Sequence, residues 1–178
     1  MESIKDYMAI SLEDEYKQAQ ENPRKRRRFL RKVDLAEARS YVRRVRYCPE
    51  NVLSYLGDKR INFVMTTDQN LFGIIRPTIT IYPIAFSPGA HPRLDDFLST
   101  LIDHEGYHAR LEYEGDPTTL LTGAIGNNWE EELKVHDYQL RQMDKRNCSD
   151  LHRKLTETNR EIYNQLLSPR ETPEVCLS

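Results

Sequence analysis

The chain has 178 residues, 38% hydrophobic and 30% charged, with a net charge of −2. That suffices for one domain with a sizeable core. It also excludes a membrane protein of the helical kind: no apolar run approaches the roughly 18 residues of a span, and Met1-Glu2-Ser3-Ile4-Lys5-Asp6 lacks a signal-peptide core. Cys48, Cys148 and Cys176 are odd in number and far apart, which argues against a disulfide framework; the expectation is a soluble cytoplasmic protein.

Charge is unevenly spread. Residues 24–46 hold eleven Lys/Arg against Asp34 and Glu37, a local +9, so the remainder of the chain carries −11.

In chain order, Ser11 to Asn22 reads as a short polar helix with Ser11 as N-cap, interrupted by Pro23. The run Arg24-Lys25-Arg26-Arg27-Arg28 follows, with Phe29, Leu30 and Val33 as a thin apolar side. Asp34 and Glu37 resemble a capping box, predicting a helix toward Tyr47 that Pro49 ends; Asn51–Leu56 adds a further helical turn closed by Gly57. Alternating residues predict strands over 60–66, 71–76 and 78–86, with Thr67-Asp68-Gln69-Asn70 as turn material. Pro83 cannot donate to a ladder, so the third strand either lies on an edge or breaks there. After the loop Ser87–Pro92, a helix starts near Arg93 or Asp95 and stops at Gly115-Asp116-Pro117. A glycine-containing loop leads to a helix from Trp129 to about Lys145, and a last helix ends before Ser168-Pro169. The organisation expected is a single α+β domain: a helical part over 1–57, a core over 58–146, and a C-terminal helix and tail over 147–178. A small sheet of three strands, or four, packs on the helices.

The helix from Arg93 carries His104-Glu105-Gly106-Tyr107-His108, of the form H-E-x-x-H. His104 and His108 are four residues apart, so both imidazoles project from one helix face and can share a Zn²⁺, with Glu105 beside them to act on water. Phe97, Leu101, His104, His108 and Leu111 follow helical spacing, so the histidines continue a stripe that faces inward. Two histidines leave a catalytic zinc one protein ligand short. The metzincin pattern, with a third histidine shortly downstream, fails because Leu111 and Glu114 stand there. Glu112 lies two turns beyond His104, about 12 Å of rise, too far for a common ion. The remaining source is Trp129-Glu130-Glu131-Glu132-Leu133-Lys134-Val135-His136 on a separate helix.

On these residues the chain resembles the gluzincin metallopeptidases, in which an H-E-x-x-H helix is followed by a glutamate-bearing helix. Glu132-Leu133-Lys134-Val135-His136 fits that second segment, and the element order over 60–146 is similar to the small single-domain minigluzincins. Gly106 is an unusual helix former, and His136 stands where many relatives have Asp. Glu132 borders the expected stripe Trp129, Leu133, His136, Leu140 and Met143 and is the first choice of ligand; Glu131, farther round, is the alternative.

With His104, His108 and Glu132 on zinc, Glu105 is the expected general base of peptide hydrolysis. His136, Tyr138, Asn127, Asn128 and His91 are candidates for stabilising the oxyanion, and His136 alternatively orients a ligand. The resemblance further implies that the strand 78–86 pairs with an extended peptide or protein substrate. Two other readings stay open. The segment 24–46 could track nucleic-acid phosphates, although such runs are more often solvated faces, answered here by Glu13, Asp14, Glu15, Glu112, Glu114 and Asp116. A catalytically silent zinc-site interaction protein is the third, and Cys176 in the tail offers a thiolate that could close the site.

Overall fold

The computed structural model describes residues 11–56, 59–68, 76–116 and 128–168. It is an α+β fold. Ser11 caps α1 (Leu12–Glu21) by accepting from the Asp14 amide at 3.1 Å. Pro23 ends α1 and also opens α2 (Pro23–Leu30), because its missing N–H is no loss at a first helical position; Asn22 caps that helix through the Arg24 amide.

The predicted helix from Asp34 to Tyr47 does not form. Asp34 accepts from the Ala36 amide at 2.9 Å, capping a turn rather than a helix, and β1 (Arg44–Tyr47) is a strand. Val45 and Tyr47 alternate with Arg44 and Arg46, and that period of two suits parallel pairing with β5, Val45 opposite Ile79. Nor is 51–56 helical: β2 (Leu53–Leu56) forms an antiparallel hairpin with β3 (Lys59–Asn62). The single strand expected over 60–66 is thus split, since β4 (Met65–Thr67) belongs to another sheet. The strand expected at 71–76 falls, but for Arg76, outside the described residues.

The three-stranded sheet has the order β1-β5-β4. β5 (Thr78–Ile81) is therefore central and wholly buried, not an edge strand. It breaks before Pro83, which starts a 3₁₀ turn over Pro83–Phe86. The edge beside the candidate site is β4 instead.

Tyr16, Phe29, Phe86 and Phe97 pack as one aromatic cluster, with centroids 5.2–6.3 Å apart. It joins α1, α2 and the 3₁₀ turn to the first turn of the motif helix. Ile79, Ile81, Met65 and Leu101 extend this core toward the site. The motif helix runs as α3 (Leu94–Leu98), a π-helical stretch (Ser99–Glu105) and α4 (Gly106–Glu114), closed by Gly115 in the left-handed region at φ 71°. α5 (Trp129–Arg146) and α6 (Asp150–Leu167) form an antiparallel pair, α5 lying along the π stretch. Buried Asp96 of α3 accepts from the Ser149 amide at 2.8 Å, tying the start of α6 to the motif helix. No helix of the described residues is long and apolar enough to cross a membrane.

Candidate metal centre

His104 and Glu105 end the π stretch and His108 lies one turn on, so the widened helix delivers all three to one cavity. Single π turns inside α-helices recur at functional sites. The Gly106 amide bonds Leu101 carbonyl, five residues back. A Cβ on Gly106 would stand 3.3 Å from Ala38 Cβ, which accounts for the glycine in mid-helix: the turn after Asp34 packs directly on it.

From α5, Glu132 enters between the two imidazoles. Its carboxylate is 3.7 Å from His104 Nε2 and 3.5 Å from His108 Nε2. The other ring nitrogens are held from behind. His104 Nδ1 donates to Gln139 Oε1 at 3.2 Å, and His108 Nδ1 donates to Glu131 Oε1 at 2.5 Å. At His104 the bond fixes the tautomer that leaves Nε2 without a proton and facing Glu132, and at His108 it turns Nε2 toward the same carboxylate. Glu131 is itself positioned by Asn128, the N-cap of α5, so the neighbouring glutamates divide the work: Glu131 orients and Glu132 faces the Nε2 atoms. Gln139 is held by Ser99 Oγ at 3.2 Å and lies 3.3 Å from His152 Nε2.

Glu105 is buried, with one carboxylate oxygen 2.8 Å from Thr67 Oγ1 on β4. Burial raises its pKa to about 7, against the lowering influence of His108 and Thr67. A carboxyl that exchanges protons near neutrality suits a general base. Burial and the nearby His136 and His108 push His104 well below its usual range, keeping it neutral. Burial opposes charge on His108, but Glu132, Glu131 and Glu105 outweigh it and raise that pKa.

His104, Glu105, His108, Glu132 and His136 thus meet in a cavity of 430 Å³ between β4 and α6. Tyr138 does not join them. It stacks on Tyr107, centroids 4.1 Å apart and planes 3° apart, and is absent from the cavity wall, so its candidate oxyanion role is withdrawn. His91 borders the cavity with both nitrogens engaged, by Ala85 carbonyl at 2.7 Å and Thr100 Oγ1 at 2.8 Å: a satisfied core histidine. Asn128 is spent on capping, and Asn127 and Cys176 lie outside the described residues. The buried face of α5 is Glu131, Val135, His136, Gln139 and Met143 rather than the predicted stripe through Trp129, Leu133 and Leu140.

Gln139, Thr67 and Tyr163 were not foreseen as site residues. Tyr163 has a sequence signal: His152, Thr156, Asn159 and Tyr163 recur at helical spacing along α6, and all border the cavity. Gln139 and Thr67 have none, being ordinary polar residues until the helices pack.

Donor atoms of His104, Glu132 and His136 lie within 4.8 Å of one another, a group that could hold a metal ion, and His108 Nε2 faces the same Glu132 carboxylate at 3.5 Å; an ion bound there would take the place of the proton on His108. Comparison with family models, with curated proteins and with solved structures gives no match for this chain.

Proposed function

We propose that the protein is a zinc-dependent hydrolase of peptide bonds, acting on a peptide or protein substrate. One observation carries the reading: two Nε2 atoms converge on the Glu132 carboxylate, each imidazole held from behind, with buried Glu105 beside them in one cavity. His104, His108 and Glu132 would hold the ion. When bound, zinc supplies Lewis acidity toward a carbonyl group and toward water. Glu105 takes the proton of the attacking water on its carboxylate, which Thr67 orients, and returns it to the leaving nitrogen. Residues 62–67, running into β4, form one wall of the cavity, so an extended substrate would lie along them.

Glu105→Gln tests this. The variant should fold and bind zinc while losing ~10²–10⁴-fold in hydrolysis of a peptide library, the usual worth of a general base. Cleavage at the wild-type rate would remove Glu105 from the chemistry and the reading with it.

A second reading has its own observation. Arg24, Arg27, Arg28, Arg31, Arg43 and Arg44 are all exposed on α2, the turn after it and the start of β1. Of the acids expected to answer this segment, Glu15 pairs with it through Lys32, whereas Glu13 pairs with Lys17 and Glu114 with Arg110. Binding to nucleic acid here would appear as retention on duplex DNA falling steeply with salt, and flow-through at physiological salt would exclude it.

A further inference from the structure

His136 was expected to steady the transition state or to orient a ligand, and its surroundings do not fit the orienting role. The orienting places are taken, by Gln139 on His104 Nδ1 and Glu131 on His108 Nδ1. His136 Nδ1 is buried with no hydrogen-bond partner among the described residues. Gln139 is near enough to favour its charge slightly, but the Gln139 amide is directed to His104, Ser99 and His152 and no bond of good geometry reaches His136. On the other side, His136 Nε2 lies 3.9 Å from Glu132 Oε2, too far for a hydrogen bond. An unbonded Nδ1 in an imidazole 5% exposed is costly to bury, and Nε2, the atom that faces Glu132, has no hydrogen bond among the described residues and is free to take a ligand.

The same distances suit a metal ligand. Donor atoms on a tetrahedral zinc with bonds of about 2.1 Å stand ~3.4 Å apart. Glu132 Oε2 lies 3.7 Å from His104 Nε2 and 3.9 Å from His136 Nε2, and Glu132 Oε1 lies 3.5 Å from His108 Nε2. Donor atoms of His104, Glu132 and His136 all fall within 4.8 Å of one another, and the His104 and His136 rings are 4.7 Å apart. His104 with His108 and Glu132 with His136 form two i,i+4 pairs on facing helices.

We infer that His136 is a fourth protein ligand of this centre, so that at rest His104, His108, Glu132 and His136 close the coordination sphere. The inference rests on the metal reading of the preceding section and adds regulation to it. Work on a substrate requires a fifth position or the departure of His136. The His136 ring stacks against Tyr163 of α6, 5.5 Å between centroids, so the α5–α6 contact sets whether it stays.

The test is cobalt titration of the full chain, read by visible absorption and by competition with a chelator. The wild type should bind one Co²⁺ with the intense bands of a four-coordinate ion. His136→Ala should weaken binding by more than the ~10–100-fold that an outer partner is worth, and should change the spectrum. Added imidazole should restore both. His136→Gln, which keeps more of the packing on Tyr163, should show the same loss and answers for any unfolding of the alanine variant. Spectra and affinities of both variants equal to wild type would overturn the inference while leaving the three-ligand site standing. Wild type that takes up no cobalt, or undiminished uptake by His104→Ala, would instead overturn the metal reading itself.

Discussion

Glu131→Gln separates the two adjacent glutamates most cleanly. In the wild type, the Glu131 carboxylate is 1% exposed and accepts from His108 Nδ1 at 2.5 Å, with Asn128 on its other oxygen. Glutamine keeps the shape and an acceptor oxygen but removes the charge. A hydrogen bond to a charged partner is worth about 1.5–3 kcal/mol and a neutral one about 1, so the orienting grip on His108 weakens by about 1–2 kcal/mol. All of that appears in metal affinity, because the bond to Nδ1 raises the basicity of Nε2; the expected loss is ~5–30-fold. Glu132→Gln removes the converging carboxylate itself and should lose far more. The assay is zinc binding by competition with a chromophoric chelator, at one pH and ionic strength, for wild type and both variants. Two results refute the reasoning. Affinity of Glu131→Gln within threefold of wild type would mean that Glu131 does not orient His108. Loss of stoichiometric zinc in Glu131→Gln but not in Glu132→Gln would move the ligand one residue back.

Tyr138→Phe should leave peptide hydrolysis and zinc affinity within about twofold of wild type, since the ring stacks on Tyr107 outside the cavity; a tenfold fall in activity would return Tyr138 to the site. His91 gives a pH dependence of stability. Burial brings its pKa from 6.5 down to about 4, so the fold holds it neutral while the unfolded chain takes up a proton below 6.5. Its contribution is present above pH 6.5 and is lost as pH falls toward 4, about 3 kcal/mol in all. Urea unfolding of chelator-treated protein at pH 7 and pH 4.5 should show a smaller acid loss in His91→Gln than in wild type, and equal losses would contradict the assignment.

The helices were more legible than the sheet. The stripe through Phe97, Leu101, His104 and His108, the cap at Ser11 and the stop at Gly115 are local signals, and each is read within a few residues. β1 is different. Val45 and Tyr47 become a strand only because Ile79 and Ile81 lie beside them in parallel register, a partner more than thirty residues away. The sign of that register is absent from residues 34–47, where Asp34 and Glu37 imitate a helix start. The same limit applied at the centre. His104, Glu105 and His108 are nameable from spacing, and Glu132, with Glu131 as the alternative, from the resemblance, whereas hydropathy turned α5 toward Trp129 and Leu133. It could not register that Glu131 and Gln139 are buried because the imidazoles need partners behind them.

Gly106 joins the two kinds of information, and its replacement should show coupling. Glycine in mid-helix costs about 1 kcal/mol against alanine, so Gly106→Ala by itself favours α4. The added Cβ, however, meets Ala38 Cβ at 3.3 Å and Leu101 carbonyl at 3.6 Å. Leu101 carbonyl, the acceptor of the π turn that delivers His104, is at ordinary contact distance and need not yield, so the tight contact is the one with Ala38. Ala38 sits in a turn, buried against the helix, and can yield only by lifting the segment after Asp34. The propensity gain and the close contact therefore nearly cancel, and Gly106→Ala should change unfolding free energy by less than ~1 kcal/mol. Removing the opposing methyl should expose the gain: in an Ala38→Gly background, Gly106→Ala should be more favourable than in the wild type by about 0.5–1 kcal/mol. Urea denaturation of the four proteins of this cycle measures the difference. Strict additivity would mean that Ala38 does not press on Gly106, and that the glycine of the motif needs another cause.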